Sequence, residues 1–442
     1  MRASSTSLGA VNSELWRLLS RRASTLLFVV LMCSCGAPAY SVLTHEEIVD
    51  LLWTSEIRPL LLISYPGLSE EQITEAHAYA YGGAVIQDLG YYPFGSKEFS
   101  NLVHYARSGD FVRELMLESR DADEYAFALG ALSHYAADVA GHQDAVNPAV
   151  AIEYPKLRAK YGKSVRYAQN KTAHLKTEFG FDTLQVAKNR YASQQYHDFI
   201  GFQVSKSLLE RVFPVVYGLE LKDVLTHEDL AVGSFRFAVS RLIPEMTRVA
   251  LQTHKKDLMR EKPDFAKQKF LYRLSRSGYE KEWGKDYVKP GFGTRVLSTL
   301  LRFTPKIGPF KGLAFKSPTP QTEDLYIKSV NTAVDQYRVF LEEVKTGSLA
   351  IPNRDLDSGN TTTAAEYSLA DDTYAQLLIQ LEKRNFDGTS PELRDNILQF
   401  YSDLSIPIET KKDQHRWEEI LDALGKLKSA APIPSLASLS AR

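Results

Sequence analysis

Apolar residues recur three and four positions apart in EEIVDLLWTSEIRPLLL (46–62), EEQITEAHAYAYGGAVI (70–86), EYAFALGALSHYAADVA (124–140) and DLAVGSFRFAVSRLIPEMTRVALQ (229–252). That spacing predicts helices with one apolar face, or buried all round. No stretch of comparable length alternates with a period of two, so Thr44 to about His254 is expected to be all-α. YPG (65–67), GYYPFG (90–95) and NP (147–148) supply the breaks. THEE (44–47) and THED (226–229) have the form of helix starts, with Thr capping and an acid three residues on capping back. Helical spacing returns in 323–345, 368–385, 390–404 and 415–428.

A different composition separates the two helical parts. From Lys281 to Pro318 eight Lys/Arg face only Glu282 and Asp286, with Trp283, Tyr287, Phe292, Phe303, Phe310 and Phe315 interleaved. Such a segment can meet a lipid or nucleic-acid surface, or dock its aromatics on the protein with its charges solvated. At the N-terminus Arg17, Arg21 and Arg22 precede the apolar run 25–32 and Ala37-Pro38-Ala39 follows, which predicts a signal peptide cut after Ala39 and export. A lipoprotein cut at Cys35 is disfavoured by Met32 three residues before it. The expected order is then signal peptide 1–39, a helical domain 40–258, basic and aromatic connection 259–320, helical region 321–430 and a disordered tail 431–442.

Charge and cysteine content narrow the chemistry. The net charge of −1 over 442 residues gives no global attraction to nucleic acid or anionic membranes, so no stable nucleic-acid partner is expected. Both cysteines, Cys33 and Cys35, precede the expected cut, which leaves no disulfide and only nitrogen and oxygen donors for a metal.

Those donors are concentrated in one stretch, HYAADVAGH. His134, Asp138 and His142 stand four residues apart and fall within about 80° of one helix side. Their neighbours are Ala, Leu, Phe and Tyr, so the helix is expected to be buried, and buried imidazoles and carboxylates need partners. His174 and Glu178 repeat the four-residue spacing, which aims two donors at a common ion. Asp88 at a helix end, His104 in FSNLVHYAR and His45 are further candidates. After the expected cut His45 lies close to the new terminal residue Tyr40, whose amine and carbonyl oxygen can chelate a metal. The other histidines, His77, His197, His227, His254 and His415, read as structural or surface residues, His77 as a hydrogen-bonding neighbour of the site.

An exported all-α chain with this ordered set resembles the zinc-dependent phospholipase C family, whose fold the fungal single-strand-specific zinc nucleases share. The resemblance covers roughly Tyr40 to His254, with motifs confined to 40–178. It implies three zinc ions. One would be held by Asp88, His104, His134 and Asp138; a second by Tyr40, His45 and the bridging Asp138; a third by His142, His174 and Glu178. Two departures stand out: Tyr40 replaces the usual Trp, and His142 follows Asp138 by four residues where the family has six. The implied activity is hydrolysis of a phospholipid headgroup ester by a metal-activated bridging water, with Asp88 as a candidate base. Leu89 and Asn101 stand where the family has its choline-binding aromatics, so a choline pocket is not supported, while Tyr91, Tyr92 and Phe94 offer aromatic faces to a headgroup or a nucleobase. The basic-aromatic stretch 281–318 leans toward peripheral membrane contact. The competing expectations are a single-strand nuclease or other phosphodiesterase on the same fold, and a non-catalytic binding protein that keeps its metals for structure.

Overall fold

The computed structural model of the chain describes residues 42–188, 190–192, 194–258 and 315–430. The expected signal peptide, Tyr40, most of the connection and the tail lie outside these residues. Among the described residues no β-strand forms, only an isolated antiparallel bridge between Arg354 and Thr361, and no helix is long and apolar enough to cross a membrane. The all-α expectation therefore holds.

The helices that build the site are α1 (Val42–Leu52), α2 (Glu70–Val85), α3 (Lys97–Tyr105), α4 (Ser108–Leu117), α5 (Ala122–Gly141) and α6 (Lys171–Ala187). α7 (Pro320–Thr346) and α8 (Ser368–Lys383) come from the C-terminal part. α5 is the axis. It starts at the Asp121 cap, whose side chain accepts from Glu124 N, and nearly every residue along it is buried, as its apolar surround predicts. α2 crosses it with backbone in contact: a Cβ added at Gly130 would lie 2.0 Å from Ala80 O, and one at Gly83 1.9 Å from Phe127 O. Only glycine permits that approach.

α7 lies along α5 and α1. Its start is capped by Thr319 with Pro320 in the first turn, and its end by Gly347 in the left-handed conformation. Tyr337 Oη donates to Leu129 O at 2.9 Å, and Tyr326 Oη meets Thr44 Oγ1 at 2.9 Å. One hydrophobic core holds Val49, Phe127 and Leu132 together with Val330, Val334 and Leu378. At the described end of the basic segment Phe315 is buried against Phe179, and Lys316 Nζ donates to Glu153 O at 2.6 Å.

Two expectations fail for identifiable reasons. Thr44 and Thr226 are not caps: α1 already begins at Val42 and spends the Thr44 hydroxyl on Asp182 at 2.6 Å, while the second helix starts at Glu228 after His227. Asn147-Pro148 is no turn either. The chain stays helical from Ala122 to Glu153 through a π-helical turn, His142–Val146, in which Asn147 N reaches back five residues to His142 O. Pro148 has no N–H to give and its ring crowds the preceding turn, and the wider π turn accommodates it. The same device precedes Arg58-Pro59, after Trp53–Ile57, and Ile243-Pro244, after Ala238–Leu242.

Candidate metal centre

α5 carries His134 and Asp138, and its π-helical continuation opens with His142. The α2–α5 crossing sets the first imidazole: with the backbones touching, His134 Nδ1 reaches Ala84 O at 2.9 Å. α2 then gives way to a 3-10 turn, Ile86–Tyr91, that carries Asp88. Two side chains hold this turn. Gln87 Nε2 donates to Ala131 O at 3.0 Å, and Ser100 Oγ bridges Gln87 O at 2.5 Å and Gly90 N at 2.9 Å. Ser100 belongs to α3, whose last turn presents His104 with Nδ1 bonded to Ser100 O at 2.7 Å. α1 lays His45 flat on His134, the ring centroids 4.3 Å apart.

The donors gather in two groups. In the first, Asp138 Oδ2 lies 3.1 Å from His134 Nε2 and 3.4 Å from His104 Nε2, while Asp138 Oδ1 lies 3.5 Å from His45 Nε2. His104 Nε2 is also 3.5 Å from Asp88 Oδ1. In the second, Glu178 Oε1 lies 3.6 Å from His174 Nδ1 and 4.0 Å from His142 Nε2. All eight side chains are at most 2% exposed. The structure thus brings together every described candidate, in the subsets His45–His134–Asp138, Asp88–His104–His134 and His142–His174–Glu178.

Apart from the 3.1 Å between His134 and Asp138, these separations exceed those of direct hydrogen bonds, which run at about 2.7–3.2 Å, and fit a cation better. A tetrahedral ion with bonds of about 2.0–2.1 Å spaces its donors roughly 3.4 Å apart. Both carboxylate oxygens of Asp88, Asp138 and Glu178, and the inward nitrogens His134 Nε2, His142 Nε2 and His174 Nδ1, have no hydrogen-bond partner. So many buried polar atoms without partners would be costly unless something else satisfied them. Four of the imidazoles have their outward nitrogen satisfied. His104, His134 and His142 give Nδ1 to the carbonyls of Ser100, Ala84 and Leu356, and His174 gives Nε2 to Val165 O. A ring N–H spent on a carbonyl leaves the opposite nitrogen with a lone pair facing inward, the tautomer a metal needs.

Electrostatics carry the same message. Burial first, then the charges of Asp138, Asp357 and Asp88, push the Glu178 carboxyl well above its usual range. Burial likewise raises Asp88. His104 also rises: burial opposes its charge, but Asp138 and Asp88 outweigh it and raise its pKa to about 10. Asp138 is the exception, since its burial is outweighed by His134 and His104, which hold it well below the usual range; the upward push on Asp88 and Glu178 describes donors short of positive charge.

Two neighbours escaped the sequence. Tyr167 stands against His174 with centroids 5.9 Å apart and against Tyr91 at 6.0 Å; Tyr91 in turn flanks His104 at 6.0 Å. Of the aromatics expected near the site, only Tyr91 borders it. Tyr92 packs on Phe235 and Phe94 is exposed. The second is Asp357, whose Oδ1 lies 3.1 Å from His142 Nδ1. His77 is buried, bonded to Asp50 Oδ1 at 3.0 Å and stacked on Trp53, and serves the core beside α1. Tyr40 and 281–314 lie outside the described residues.

Residues 44–226 match the family model described as zinc dependent phospholipase C. The stretch contains all eight candidate donors from His45 to Glu178. No curated protein and no solved structure matches the chain.

Proposed function

From the premise that residues 44–226 belong to the zinc-dependent phospholipase C family, and hence that the chain is a zinc-dependent hydrolase of phosphoric diesters, we propose that it is an exported trinuclear enzyme cleaving phospholipid headgroup esters. The observation that carries the reading is Asp138, whose two partnerless oxygens face separate sets of imidazoles across distances that suit bound cations. Asp88, His104, His134 and Asp138 would hold one zinc, and His45 with the second oxygen of Asp138 another, completed by the Tyr40 amine and carbonyl if the chain is cut after Ala39. His142, His174 and Glu178 would hold the third.

Zinc in such a site supplies Lewis acidity at the phosphoryl oxygens and water acidic enough to attack near neutral pH. The chain's own residues do the rest. Asp138 would hold two cations through its two oxygens, and the backbone carbonyls behind four imidazoles fix their orientation. Asp88, with both oxygens partnerless, would accept a proton from the attacking water. Tyr91 and Tyr167 line the groups with aromatic faces.

The test is a three-substrate assay on zinc-loaded mature protein, with phosphatidylcholine vesicles, phosphatidylethanolamine vesicles and single-stranded DNA. Diacylglycerol release that stops with a chelator and returns with zinc is expected. Acid-soluble nucleotides without diacylglycerol would move the assignment to a nuclease, and zinc binding without turnover of any of the three to a binding protein.

A further inference from the structure

Asp357 lies well beyond the stretch that matches the family, yet its side chain is buried beside His142. The loop that carries it hooks onto both donor groups. Leu356 N donates to His104 O at 3.2 Å, and Asn147 Nδ2 donates to Asp357 O at 2.9 Å. Asp357 N donates to Asp355 Oδ1 at 2.9 Å, and the turn closes at Gly359, whose φ of +73° suits glycine and where an added Cβ would lie 2.9 Å from Val139 O. Both carboxylate oxygens are used. Oδ1 faces His142 Nδ1 at 3.1 Å, while Oδ2 accepts from Tyr105 Oη at 2.9 Å and from Tyr367 Oη.

On the reading that His142, His174 and Glu178 hold a zinc ion, we propose that Asp357 is a positioning residue for this third site. It accepts the His142 Nδ1 proton, together with Leu356 O, and so aims His142 Nε2 at the ion. The two tyrosine hydroxyls fix the carboxylate, giving an ordered chain from hydroxyl to carboxylate to imidazole to metal. A carboxylate behind a ligating imidazole makes it more basic and fixes its tautomer, and losing such a partner usually weakens metal affinity about 10–100-fold. The C-terminal part of the chain would then complete a site whose direct ligands all lie within the matched region.

The variant is Asp357→Asn, close to isosteric and able to keep an acceptor toward the tyrosines. Zinc is counted per chain after dialysis, and its release is followed by chelator competition. Expected are two zinc ions held as in the wild type and a third lost about 10–100-fold more readily. In a Glu178→Gln background, where the third site is already broken, Asp357→Asn should add nothing to the loss. Unchanged release of the third ion, or equal weakening of all three, overturns the proposal. If Asp357→Asn does not fold, Tyr105→Phe/Tyr367→Phe keeps the carboxylate but frees it, and release of the third ion alone should again accelerate; unchanged release there counts against the proposal. A wild-type chain that binds only two zinc ions refutes the third site itself, and failure of the lipid assay with three ions bound touches only the substrate.

Discussion

At the scale of single residues, Asp138 is the side chain on which most depends. Among the described residues it is the one carboxylate whose two oxygens face different imidazoles, His45 on one side and His104 with His134 on the other. An amide at this position keeps the shape but loses the charge and turns one acceptor into a donor aimed at a cation. Asp138→Asn should therefore release two zinc ions rather than one and lower kcat/KM by at least about 100-fold, since even removing a partner behind a ligand costs 10–100-fold. Zinc counting and steady-state assay on the same preparation check this, and a variant with full zinc and full activity contradicts the bridging role. Five of the eight described donors were legible in the sequence because four-residue spacing is a local property that puts two side chains on one helix face wherever the helix goes, whereas His45, Asp88 and His104 stand alone and joined the set only through the family resemblance. Asp357 was not, because a lone acid in a loop has no spacing that points to His142.

Between elements, the decisive contact is the crossing of α2 and α5 at Gly83 and Gly130. It brings Ala84 O within reach of His134 and so determines which nitrogen of that ring faces the metals. A methyl at Gly130 would need the space of Ala80 O, 2.0 Å away, and must push the helices apart. Gly130→Ala should cost about 1–3 kcal/mol, as overpacked cores usually do. It should also lower zinc affinity at the two sites that share His134, while the third, on the far end of α5, stays nearer to wild type. Denaturant unfolding and zinc release measured together separate this from simple destabilisation, which would leave the order of release unchanged. The periodicity identified both helices but not their crossing, since glycine in a helical pattern shows only that something comes close. The prolines carry a similar ambiguity: Pro148 reads as a break while Pro59 and Pro244 sit within helical spacing, yet all three follow a π turn that keeps the chain helical.

Across the whole molecule, Glu153 ties the matched region to α7. Its Oε1 accepts from Thr322 Oγ1 at 3.1 Å and its Oε2 from Thr177 Oγ1 at 3.2 Å, and Lys316 binds its carbonyl. Burial, only partly offset by the two hydroxyls, raises its pKa from 4.5 to about 7. The folded state therefore holds this proton more tightly than the unfolded chain. Its contribution is fully present below pH 4.5 and is lost as pH rises to about 7, a change of up to about 3 kcal/mol at roughly 1.4 kcal/mol per unit. Glu153→Gln mimics the protonated form at every pH. It should be as stable as the wild type at pH 4.5 and more stable at pH 8, which thermal melts at the two pH values would show; a constant difference between them would mean the group does not titrate as stated.

The sequence alone determined the helical class, the paired donors on α5 and α6, and the absence of cysteine from the region beyond residue 39, because each is a matter of residue type and short-range spacing. Only the tertiary structure decided which donors share an ion, which nitrogen of each imidazole faces inward, and that a loop far along the chain closes behind His142. The reason is physical: imidazole orientation here is set largely by backbone carbonyls, which every residue possesses, so no residue type announces them and only the packing of helix on helix brings the right one into range.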